Sequence, residues 1–161
     1  MDGPFVLVDY VVDFKRDPQK KTRGLLLRNS GDGPAFNVAV SAIRAPTGNS
    51  ASFQVLPILF ADAPQEVLAE VEGMGPVFAH NLAEVLHDHY EATRTVHGFK
   101  VLFQPISIPL TVTYENGQGR AFRSEHVIEY VPGHQTAKAR FLKREAVVSA
   151  QRLPPVVTQD R

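Results

Sequence analysis

From Ile106 to Tyr114 every second residue is apolar: Ile106, Ile108, Leu110, Val112 and Tyr114 alternate with Ser107, Pro109, Thr111 and Thr113. A period of two is the signature of an extended chain with one buried face, because successive side chains of a strand point to opposite sides. The pattern recurs along the chain. Val6, Val8, Tyr10, Val12 and Phe14 share one parity against Asp9 and Asp13; Phe36, Val38, Val40 and Ala42 alternate with Asn37, Ala39 and Ser41; Phe122, Ile128 and Tyr130 oppose Arg123, Glu125 and Glu129. Shorter segments at 23–29, 52–60 and 65–72 bring the expected number to about seven strands. In 65–72, Val67, Ala69 and Val71 are expected inward and Glu66, Glu70 and Glu72 outward, although a helix also fits this segment. Pro57, inside 52–60, belongs at an edge or a bulge because it has no N–H to give to a ladder.

Turn-forming clusters separate these segments: KRDPQKKT, NSGDGP, APTGNS, ADAP and ENGQG. Asn116 and Gly117 form the pair best suited to positive φ in a hairpin, which predicts antiparallel pairing of the strands on either side. Short strands joined by short turns predict a mainly β, Ig-like antiparallel sandwich, with Val8, Val12, Leu27, Val38, Val40, Leu110, Val112 and Ile128 in its core. Two segments depart from the pattern. Phe78, Leu82, Val85, Leu86 and His89 stand at helical spacing within 76–92, with Pro76 suited to a helix start, so a helix is expected as an insertion on a connection reaching about Gln104. In the basic tail, Leu142, Ala146, Ser149 and Leu153 are also at helical spacing, predicting a short helix followed by an extended or disordered end. With 161 residues, the expected organisation is one sandwich over 4–133 and a tail over 134–161.

Composition narrows the function. Seventeen Lys and Arg balance seventeen Asp and Glu, so there is no charge excess to gather phosphates, and no nucleic-acid partner is expected. The absence of cysteine removes thiolate catalysis, disulfides and zinc–cysteine sites. The longest apolar runs, such as Val55 to Ala61, fall far below the roughly 20 residues needed to span a bilayer. The opening MDGPFVLVDYVV lacks the basic start of a signal peptide. Its abrupt entry into a strand pattern is expected of a piece of a longer chain, and any membrane attachment is expected through segments outside this one.

Every residue of NSGDGP has a turn-making task. Asn29 can turn its side-chain oxygen onto a backbone N–H two residues on, Gly31 and Gly33 can take positive φ, and Pro34 fixes φ. A cation site on Asn29 and Asp32 would need further acidic ligands at alternate positions, which this loop does not have. The stretch RNSGDGPAFNVAV, through Asn29, Gly31, Gly33, Pro34, Ala35, Asn37 and Val38, resembles the corner between the second and third strands of bacterial immunoglobulin-like domains of the CARDB type. TVTYENGQG looks like the late hairpin of the same domains. The resemblance covers about half of the chain and implies adhesion or scaffolding at the cell envelope or on a membrane-attached protein, with no catalytic residues to carry over.

One constellation suggests chemistry of another kind. His80, Glu84 and His87 at i, i+4 and i+7 of the expected helix would share one stripe and could hold a metal, which makes a metal-dependent enzyme or metal sensor the alternative function. A solvated helix face explains the same residues, and the HExxH order of a metalloprotease is missing. No serine lies in a nucleophile elbow, and neither GMGP nor GQG makes a phosphate loop. The leading expectation is a non-catalytic binding or assembly module without a cofactor, whose partner is another protein or a second copy of itself.

Overall fold

The alternating segments are strands in the computed structural model, which describes residues 2–10, 12–13, 24–74, 78–97, 105–131 and 136–147. Eleven strands and one helix follow in the order β1 (Val6–Tyr10), β2 (Val12–Asp13), β3 (Gly24–Asn29), β4 (Ala35–Val40), β5 (Ile43–Arg44), β6 (Ser50–Phe53), β7 (Leu56–Leu59), β8 (Gln65–Glu72), α1 (Leu82–His97), β9 (Ile106–Glu115), β10 (Ala121–Val131) and β11 (Thr136–Ala146). They form a five-stranded sheet, β1-β3-β8-β6-β5, and a six-stranded sheet, β2-β11-β10-β9-β4-β7, with every pairing antiparallel. The mainly β, two-sheet expectation therefore holds, and Gln65–Glu72 is a strand.

Three sequence expectations change. The segment 52–60 is not one strand: its halves, β6 and β7, belong to opposite sheets, and Pro57 lies exposed on β7 at a sheet edge. The first alternating run likewise divides, β1 joining one sheet and β2 the other, while Phe14, the KRDPQKKT turn and Arg23 lie outside the described residues. The tail is not helical as far as Ala146: Thr136–Ala146 is a strand paired along its length with β10. The reason lies in a second periodicity. Ala137, Ala139 and Phe141 also repeat at a spacing of two, and a ten-pair ladder with β10 outweighs a short helical stripe. Ser149 and Leu153, with the rest of 148–161, lie outside the described residues.

The core forms between the inner faces. Val8, Leu27, Val38, Leu110, Val112 and Ile128 are buried as expected; Val40 is only half-buried, and nothing is described of the Val12 side chain. The helix begins at Leu82 rather than near Pro76, which is itself outside the described residues, and it extends to His97. Asn81 sets that start: its Oδ1 accepts the Glu84 N–H at 2.9 Å, while Glu84 Oε1 accepts the His80 N–H at 2.7 Å, a reciprocal cap. Leu82, Ala83, Val85, Leu86 and Tyr90 bury against β5, β6 and β8 of one sheet and β10 of the other, so α1 closes one end of the sandwich.

Candidate functional site

The NSGDGP corner, between β3 and β4, is a socket for the chain's own first residues. Asn29 is buried, and its Oδ1 accepts the N–H groups of Gly31 and Phe5, both at 3.1 Å. Its Nδ2 donates to the carbonyls of Gly33 at 2.9 Å and Leu59 at 3.1 Å. Ser30 N–H donates to Phe5 O, and Asp32 N–H to Gly3 O. One side chain thus fastens the corner, β7 and the N-terminal segment together. Gly33 takes the expected positive φ of 78°, but Gly31 does not. A Cβ on Gly31 would lie 2.3 Å from Gly3 O and 2.6 Å from Phe5 N, so the glycine is required by the passing backbone rather than by its own conformation. Asn37 takes φ 51° instead. Pro34 is half-buried just before β4.

Arg144 of β11 holds the same N-terminal segment from the other side. Its Nη2 donates to Pro4 O at 2.6 Å and Asp2 O at 3.2 Å, and its guanidinium lies 5.1 Å from the Phe5 ring and 4.8 Å from the Phe122 ring. The neighbouring hairpin also departs from expectation. Positive φ falls on Gly119, not on Asn116 or Gly117, because Gly119 N–H donates to Asn116 O and the Asn116 side chain accepts from Gln118 and Arg120. This is a longer loop, a turn followed by a left-handed residue.

The three residues of the alternative metal reading are not brought together. His80 precedes α1, Glu84 is occupied in the cap, and His87 stands with its Nδ1 2.9 Å from the Tyr130 hydroxyl and its Nε2 3.6 Å from Glu91. Among the described residues no group of three His, Asp or Glu is placed to hold a metal ion. Tyr130 is buried, which pushes its phenol up to about 12, with Tyr90 and Glu91 adding to the shift. That phenol stays protonated at neutral pH, and which partner donates in its bond to His87 follows the tautomer of the imidazole. Asp88 docks the helix instead: its Oδ2 accepts from Asn49 Nδ2 at 2.9 Å and from the Thr47 hydroxyl. Asn49, itself buried, accepts the Met74 N–H at 3.0 Å.

Two buried polar residues escaped the sequence reading. Ser124 and His126 occupy the same parity as Phe122, Ile128 and Tyr130, and a polar residue on an apolar parity was the available signal. Ser124 Oγ meets the Tyr114 hydroxyl at 2.6 Å. His126 Nε2 accepts the Val8 N–H at 3.2 Å, so the neutral ring carries its proton on Nδ1. That nitrogen is buried without a hydrogen-bond partner among the described residues. Burial holds the imidazole below its ordinary value, and the Ser124 backbone opposes the shift.

The outer face of the six-stranded sheet carries a ladder of charge. Arg123 bonds Glu145 across β10 and β11, raising its own pKa and lowering that of the carboxyl. Arg140 Nε lies 3.2 Å from Glu129, and Lys143 Nζ lies 3.8 Å from both Glu125 and Glu145. At the rim of this sheet, β2 pairs with β11 only at Thr136 and Ala137. Beyond them, among the described residues, no strand pairs with the outer side of β11, but β1 and the residues before it pack along it, Phe5 on Phe141 and Pro4 on Arg144, leaving Phe141 38% and Leu142 47% exposed. Comparisons with protein-family models, curated proteins and solved structures return no match to this chain.

Proposed function

We propose that this chain is a non-catalytic protein-binding or assembly module on an immunoglobulin-like sandwich, serving as the exposed domain of a bacterial surface or membrane-attached protein. The finer fold reading is supported by strand order. β1-β3-β8-β6 against β4-β9-β10 matches the seven-strand immunoglobulin arrangement, with the NSGDGP corner between the second and third of those strands and ENGQG between the last two. β7 is an addition at one edge of the second sheet, β11 and the short β2 at the other, and α1 is an insertion between β8 and β9.

The observation that carries the functional reading is the pair of large apolar side chains, Phe141 and Leu142, left exposed on β11. Adjacent apolar side chains open to solvent mark a surface for another protein. The helix is the weaker alternative as a docking element, since its apolar residues Leu82, Val85, Leu86 and Tyr90 are already buried.

A photo-reactive residue in place of Leu142, with the chain produced in cells, tests the reading. A discrete cross-linked protein species is expected, lost when Phe141→Ser removes the neighbouring exposed apolar side chain. A diffuse smear, or a species indifferent to Phe141→Ser, would overturn it.

A further inference from the structure

We infer that His126 is a proton-operated latch on the seam between β1 and β11: the neutral ring holds the seam shut, and a proton on it lets β1 swing away from the six-stranded sheet. The inference goes beyond the protein-binding reading and does not depend on it.

The seam is closed by side chains rather than by a ladder. β1 is the edge strand of the five-stranded sheet and packs on β11 of the other sheet, and among the described residues no backbone pairing joins the two. Phe5 meets Phe141 at 5.2 Å between ring centres, and Phe141 in turn lies edge-on to His126 at 5.6 Å. His126 Nε2 then accepts the Val8 N–H at 3.2 Å, a hydrogen bond from β10 to β1 that crosses from one sheet to the other. It falls where the β1–β3 ladder loses register, between Val8 and Tyr10.

A proton turns this acceptor into a donor. Only the neutral ring has a lone pair on Nε2; in the imidazolium both nitrogens donate, and the Val8 N–H is left facing another N–H. Nδ1 gives no relief, being buried without a hydrogen-bond partner among the described residues. The Ser124 backbone favours the charged ring less than burial disfavours it. No carboxylate stands by to compensate. Leu110 is the cross-strand neighbour on β9, and the Tyr114 hydroxyl is engaged with Ser124 of β10. β11 contributes Phe141 and Arg144, itself a cation. Asp9 of β1 is exposed against Arg28, and Glu125 of β10 is held on the outer face by Arg123 and Lys143. The imidazolium therefore gains hydration by opening the seam, where Phe141 is already partly exposed.

The chain has no cysteine, so one introduced thiol reports the opening. Val6→Cys places it on the buried face of β1, and Leu110→Cys, in the core on β9, reports global unfolding. Each is modified by a dipyridyl disulfide, and dividing by the rate for a short cysteine peptide cancels the pH dependence of the reagent. The Val6→Cys rate is expected to be constant above about pH 6.5 and to rise roughly tenfold per pH unit below it, until the depressed folded value is passed. It should be indifferent to urea too dilute to unfold the chain, whereas Leu110→Cys should react about tenfold or more slowly and respond to urea. In the His126→Gln background, whose amide oxygen can accept the Val8 N–H without titrating, the Val6→Cys rate should be flat with pH. A flat rate with His126 present, a rise that persists in His126→Gln, or equal rates for the two thiols would overturn the inference. NMR of the unsubstituted chain gives a reading that no variant can spoil: the His126 ring and the Val8 amide should shift with one common midpoint. A ring that titrates while that amide stays unmoved would overturn the latch as well.

Discussion

Gly31 and Gly33 stand two residues apart in one turn and do different work, which makes them a controlled pair. A Cβ at Gly33 meets nothing within 4 Å and only has to tolerate a φ of 78°, so Gly33→Ala should cost on the order of 1 kcal/mol. A Cβ at Gly31 strikes the backbone at Gly3 and Phe5, so Gly31→Ala must displace the segment that Asn29 and Arg144 hold, and should cost clearly more. Urea unfolding of both variants checks the order, and equal losses would remove the socket from the account. His126 gives a pH dependence. Its pKa is lowered in the folded protein, so the unfolded chain binds the extra proton first as pH falls. The stability contributed by the neutral ring is fully present above about pH 6.5 and is lost as pH falls from there through the depressed folded value. The His126→Phe variant should lack this slope, which urea midpoints between pH 7.5 and about 5 would show. Much of the corner was legible, because Asn29 and Gly33 act through local rules of turn chemistry. The N-terminal strand that explains Gly31, and the Val8 N–H that explains His126, come from distant parts of the chain and leave no local trace.

Elements show the same division between local and distant causes. β9 and β10 were readable because each alternates cleanly and a turn joins them, and their register runs unbroken from Glu115↔Ala121 to Ile106↔Tyr130. Leu110 and Val38 face the core, and truncation of either to Ala should cost roughly 2 to 4 kcal/mol by urea unfolding. β11 was misread as helix because its residues satisfy both periods, and only the ladder offered by β10 decides between them. His80 falls outside the candidate metal stripe for a boundary reason: helix ends are set by caps, and Asn81 starts α1 at Leu82, two residues after His80. Asn81→Ala should lower stability by about 1 kcal/mol, read by thermal melting, while leaving the β signal in circular dichroism unchanged. A larger loss would mean that α1 is not merely capped by this residue but held in place by it.

At the scale of the whole molecule, the two sheets are interlocked by a chain that repeatedly changes sheet, at β1 to β2 and again at β6 to β7 to β8, and α1 packs on both. Separate unfolding of either sheet would therefore break the other, so helical ellipticity and tyrosine fluorescence should follow one coincident urea transition. The Arg144 clamp also fixes a geometry of attachment. Asp2 and Pro4 lie within reach of a side chain only three residues before Val147, so the chain enters and leaves the described fold at one pole, with α1 at the other. If further polypeptide were joined at both ends, tension drawn along it would pass across this single junction rather than down the strands. The sandwich would then hang as a side branch, able to present its far pole outward while mechanical load bypassed its core.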